Sequence, residues 1–84
     1  MTESNKLCAD EGMIDLRDET ECRDVVSWLQ NFISGVTFRS AVTWPGYPKG
    51  CFLYVNNVWL FWNTHPTGAR SVNERNVCKP GTLL

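Results

Sequence analysis

"GCFLYVNNVWLFWN", residues 50–63, decides the fold. It reads as two short apolar runs joined by Asn56-Asn57. A two-residue loop at that joint makes a β-hairpin, because asparagine tolerates the positive φ that a type I′ turn requires. The register then follows. Val55 faces Val58, Tyr54 faces Trp59, Leu53 faces Leu60, Phe52 faces Phe61 and Cys51 faces Trp62. Successive side chains of a strand point to opposite faces. One face therefore holds Cys51, Leu53, Val55, Val58, Leu60 and Trp62, and the other holds Phe52, Tyr54, Trp59 and Phe61 as a cross-strand aromatic ladder. Both faces are apolar, so each calls for a cover.

The cover for the first face lies upstream. Over residues 19–33, Cys22, Val25, Val26, Leu29, Phe32 and Ile33 recur at three and four, the stripe of an amphipathic helix, with Trp28 beside it. Asp18, three residues before Glu21, is its expected N-cap, and Ser34-Gly35 its stop. Residues 12–18 alternate as a short strand, with Ile14 and Leu16 on one side. Residues 36–44 alternate again, with Val36, Phe38, Val42 and Trp44 sharing a side. Residues 45–50 are a turn-rich connector, and the polar residues 63–76 read as a long loop. "VCKP" closes the chain as a last short strand. The second face of the hairpin is covered either by residues 36–44 or the loop after Asn63, or by another molecule.

At 84 residues the chain has room for one core, and a domain of this size usually needs a staple. We expect a flexible N-terminal tail over residues 1–7 and a single domain over residues 8–84. Cys8, Cys22, Cys51 and Cys78 are the candidate staples. They lack the closely spaced pairs of structural zinc sites and the Cys-x-x-Cys of redox sites. An even number at wide spacing favours two disulfides, hence an oxidising compartment. Four cysteines allow three pairings. The nested one, Cys8–Cys78 with Cys22–Cys51, is favoured because Cys22 lies on the helix stripe and points at the core. Spacing alone leaves the other two open.

Charge is divided along the chain. Eight of the nine acids precede Val25, whereas five of the eight basic residues follow it, against Glu74 alone. Either the acidic front and basic back attract each other within the fold, or they order neighbours in an assembly. The opening residues show no apolar core of a secretory signal, and no apolar run approaches the roughly 20 residues of a membrane helix. His65, the sole histidine, sits in a turn with no nucleophile pattern around it. Asp10, Glu11 and Asp15 lack calcium-loop spacing. Arg70, Arg75 and Lys79 form no nucleic-acid motif. No catalytic residue, metal or cofactor is expected.

"ECRDVVSWL", "YPKGCFLYVNNVWLFWNTHPTG" and the closing "VCK" together resemble a cysteine-containing module of secreted or lumenal proteins of microalgae, notably dinoflagellates. The matching positions are Glu21-Cys22, the Tyr47-Pro48-Lys49-Gly50-Cys51 step, the loop from Asn63 to Gly68, and Cys78. More loosely, the chain is similar to PAN/apple domains, through the helix cysteine and the Gly-Cys strand, although it lacks their central third bridge. The resemblance implies the nested pairing and a binding or structural module.

The expected fold class is α+β: one amphipathic helix packed on a small antiparallel sheet of three to five strands, disulfide-stapled. The expected function is a non-catalytic protein-interaction or structural subunit, extracellular or in an organelle lumen such as the thylakoid's. It would dock a protein partner through Phe52, Tyr54, Trp59 and Phe61. Two rivals are a lumenal accessory subunit of an algal photosynthetic membrane complex and a carbohydrate-binding module that stacks sugars on exposed Trp and Tyr. Neither a nucleic-acid partner nor a membrane span is expected.

Overall fold

The computed structural model describes residues 7–80. The tail expected at residues 1–7 lies outside that range except for Leu7, whose N–H donates to Asp10 Oδ2 at 2.7 Å. Six strands and one helix follow in the order β1 (Met13–Asp15), α1 (Glu19–Leu29), β2 (Thr37–Val42), β3 (Gly50–Tyr54), β4 (Trp59–Asn63), β5 (Glu74–Asn76) and β6 (Cys78–Pro80), with a 3-10 turn at Cys8–Glu11 before them. The strands form two sheets: β1 with β6, and a four-stranded sheet in the order β2-β4-β3-β5. The helix packs on one face of the larger sheet, and two bridges staple the whole, Cys8–Cys78 and Cys22–Cys51. This is the small disulfide-stapled α+β fold read from the sequence, with nested pairing.

The hairpin register holds at every pair from Cys51↔Trp62 to Tyr54↔Trp59. Its turn differs. Residues 55–58 all belong to the loop, and the positive φ falls on Val58 (57°) rather than on an asparagine. Opening the Val55–Val58 pair lengthens the loop by one residue on each side, so the remaining pairs are unchanged. Val55, in the opened loop, is exposed and lines a surface cavity with Ile33, Leu53 and Val58.

The helix starts as read. The Asp18 carboxylate accepts the Glu21 N–H at 2.9 Å. Glu21 reaches back to the Arg17 N–H, one residue before the cap. It ends earlier than expected, at Leu29. Tight turns carry the chain on, with the Asn31 N–H on the Trp28 carbonyl and the Gln30 side chain on the Val36 carbonyl. Past Leu29 the helical period no longer applies, so Phe32 falls off the stripe. It is 71% exposed and lies against the Trp28 ring, 4.9 Å away.

The larger sheet is mixed rather than wholly antiparallel. β2 runs parallel to β4 and antiparallel strands flank only β3. The reason lies in edges. β5 takes the free edge of β3, leaving β2 the far edge of β4. The connector of residues 43–49 must then cross the end of β4 to start β3. β5 itself lies in the stretch read as loop. "ERN" has little strand propensity, and the open edge of β3 imposes pairing on it. β2 also carries a bulge between Phe38 and Ser40. Phe38 stands beside Leu60 on the helix side, but the shift puts Val42 beside Asn63 on the opposite face. The single alternation read across residues 36–44 is therefore broken at Arg39.

The core lies between α1 and the sheet. Cys22, Val36, Cys51 and Leu60 are each wholly buried, with Leu16, Leu29, Leu53 and Val77 around them. Three ion pairs join the acidic front to the basic back: Asp10–Arg70 at 2.6 Å, Asp15–Lys49 at 3.9 Å and Glu21–Lys79 at 3.3 Å. The charge asymmetry of the sequence is thus used, in large part, within the fold.

Candidate functional site: an aromatic groove on the hairpin

The face of the hairpin turned away from the helix carries the ladder. Phe52 and Phe61 stack at 5.4 Å, and Trp59 meets Phe61 edge-on at 6.3 Å. Two further rings come from the connector. Trp44 lies 5.2 Å from Phe61, and Tyr47 stacks on Phe52 at 5.6 Å. Trp44 and Tyr47 also touch, 5.1 Å apart. The bulge in β2 is what delivers Trp44 to this side.

Asn63 fixes that cover. It ends β4, is 1% exposed, and sits where the connector crosses. Its Nδ2 donates to the carbonyls of Trp44, Tyr47 and Pro48 at 2.8, 3.2 and 3.0 Å. Its Oδ1 accepts the N–H of Trp44 and of His65. Asn76 does the same for the N-terminus. Its Oδ1 accepts the Cys8 N–H at 3.1 Å, and its Nδ2 donates to the Lys49 and Cys51 carbonyls. Neither asparagine stood out in the sequence. The available signal was a polar residue ending an apolar strand, followed by turn residues.

The four residues read as a docking face are therefore divided. Phe52 is 0% exposed and Phe61 6%, both beneath Trp44 and Tyr47. Phe52 is core and cannot touch a partner, which corrects its place in the docking set. Tyr54 and Trp59 remain half-buried at the open end. Trp44, Tyr47, Tyr54, Asn57, Trp59 and Phe61 line a groove of about 270 Å³. The Arg39 guanidinium lies over the Trp59 ring at 4.5 Å. The rings of "WPGY" were missed as groove members, and the bulged Arg39 as a neighbour of Trp59, because they lie outside the hairpin.

The remaining candidates lie outside this groove. His65 Nδ1 accepts the Gly68 N–H at 2.9 Å and so holds its own loop. Among the described residues no three His, Cys, Asp or Glu side chains gather as metal ligands, and no helix is long and apolar enough to cross a membrane. Burial pushes the Asp15 carboxyl above its ordinary pKa, against the pull of Lys49.

Fold and site together define a small disulfide-stapled α+β domain with an aromatic groove. Comparison with protein-family models, curated proteins and solved structures returns no match.

Proposed function

We propose that this chain is a non-catalytic protein-interaction or structural module of an oxidising compartment, docking a protein partner through the open end of the hairpin's aromatic face. The observation that carries the reading is the division of the ladder. The inner rings are covered by the chain's own connector, whereas Tyr54 and Trp59 are left at the rim of a groove with Arg39 beside them. Trp, Tyr and Arg are the side chains that most often anchor protein interfaces. A rigid ring platform beneath them lowers the ordering cost of binding. The two bridges are compatible with an oxidising space, and the sequence resemblance to secreted and lumenal modules supports placing the chain there. Sugar stacking on Trp59 is less favoured, since Arg39 already occupies one face of that ring.

Site-specific photo-crosslinking tests this reading. A photoreactive side chain at position 54 is expected to give one discrete protein adduct from the native compartment. The same probe at Asp24, on the exposed helix surface, gives none. Equal labelling from both positions, or no adduct from position 54, sinks the proposal.

A further inference from the structure

A second cleft, on the other side of the connector, has a different chemistry. It lies between β1 and the loop after β4, and its lining includes Asp15, Lys49, Trp62, His65 and Pro66. Its volume is about 400 Å³, within the range of small-molecule sites. A neighbouring cavity of about 280 Å³ shares Asp15, Lys49 and Pro66 with it, so the Asp15–Lys49 pair stands between two lobes.

Several polar atoms of the residues lining the cleft have no hydrogen-bond partner among the described residues. Among the described residues no donor reaches the half-buried Asp15 carboxylate within hydrogen-bond distance, since Lys49 Nζ stops at 3.9 Å. The His65 ring accepts the Gly68 N–H at Nδ1, which leaves its hydrogen on Nε2, and no described residue accepts from that atom. The indole N–H of Trp62 likewise has no acceptor among the described residues, although Trp62 is half-buried. Asp15, whose carboxylate has no hydrogen-bond donor among the described residues, thus lines the same cleft as His65, Trp62 and Lys49. Trp62 and Pro66 add apolar wall.

The charges narrow the ligand. Lys49 faces Asp15, and Arg17 faces Asp18 at 3.6 Å. Each cation of the cleft is thus already offset by a carboxylate, and a neutral ligand matches that balance without leaving either charge in excess. We propose that this cleft binds a neutral, hydroxyl-rich ring of the pyranose class, its hydroxyls bridging Asp15 to Lys49 and His65 and one C–H face against Trp62. Hydroxyls both donate and accept, which is what a mixed set of open groups requires. The site is independent of the aromatic groove, and either can exist without the other.

The test is amide and indole NMR on labelled protein titrated with methyl glucoside, methyl galactoside and N-acetylglucosamine. At least one sugar is expected to give saturable shifts at Gly50, His65 and the Trp62 indole. Asp15→Asn is expected to weaken that binding by about tenfold or more, because a hydrogen bond to a charged acceptor is replaced by one to a neutral amide. Lys49→Met, a change at an exposed side chain, serves as the second variant and weakens binding in the same direction. The proposal is overturned if no sugar gives saturable shifts, if the shifts centre on Tyr54 and Trp59, if both variants bind as the parent does, or if acetate or methylammonium, as singly charged probes, binds the cleft more tightly than any sugar.

Discussion

Asn63 holds both backbone polar groups of Trp44, donating to its carbonyl at 2.8 Å and accepting its N–H at 2.9 Å. One buried amide thus closes the crossing from β2 to β3 and seats the indole on Phe61. Asn63→Ala leaves these part-buried groups without their partner. Each unpaired buried group costs about 1–3 kcal/mol, so a loss of roughly 2–4 kcal/mol is expected. Urea unfolding reads it as a lower midpoint at unchanged slope, with tryptophan emission shifted to the red as Trp44 lifts. An unchanged midpoint would mean that ring packing alone holds the connector.

Gly68 packs against the connector from the other side. It has a φ of 58°, and a Cβ there would lie 2.4 Å from the Lys49 nitrogen and 2.6 Å from the Tyr47 carbonyl oxygen. Backbone atoms cannot move aside as a side-chain tip can. Gly68→Ala is expected to cost about 2–3 kcal/mol, from strain at positive φ together with the clash. For a domain of this size that lowers Tm by about 4–8 °C per kcal/mol, which calorimetry resolves.

The two bridges differ in what they hold. They close loops with sequence separations of 70 and 29, worth about 4.4 and 3.6 kcal/mol in the chain-entropy model. Cys22 and Cys51 are wholly buried at the centre of the core, whereas Cys8–Cys78 secures the small outer sheet. Replacing Cys22 and Cys51 by alanine is expected to abolish cooperative unfolding. Replacing Cys8 and Cys78 is expected to leave the amides of β3 and β4 protected while those of β1 exchange quickly. Hydrogen exchange separates the two cases, and equal loss of protection in both variants would contradict this division.

Two carboxyls give stability opposite dependences on pH. The Arg17 backbone N–H, and after it Lys79, hold the Glu21 pKa below its ordinary value of 4.5. Its contribution is present above that value and is lost as pH falls through the lowered one. Burial raises the Asp15 pKa above 3.8 despite Lys49. Its contribution is present below 3.8 and is lost as pH rises through the raised value. Glu21→Gln should flatten the acid limb of the stability profile, and Asp15→Asn should remove a loss that begins above 3.8. Denaturation midpoints across acid pH check both signs, and parallel profiles for all three proteins would refute the assignment.

Residues 50–63 and the helix stripe carried most of the architecture. Alternation and helical spacing are local patterns, so the hairpin register, the N-cap at Asp18 and the core face could be read directly. The placement of Cys22 on the stripe pointed to Cys51 for the same reason. These features depend on neighbours within a few residues or across one short turn.

The sequence by itself therefore determined the class of fold, the hairpin pairing and the inward-facing cysteines, because each follows from a side-chain period of two or 3.6. Only the tertiary structure decided that β2 runs parallel to β4, that "ERN" becomes a strand, and that Phe52 is buried while Tyr54 and Trp59 are not. Those outcomes turn on which sheet edge is vacant and on where a bulge reverses the facing of a strand. They turn as well on two asparagines whose partners lie far along the chain, and no local period records such long-range satisfaction of buried polar groups.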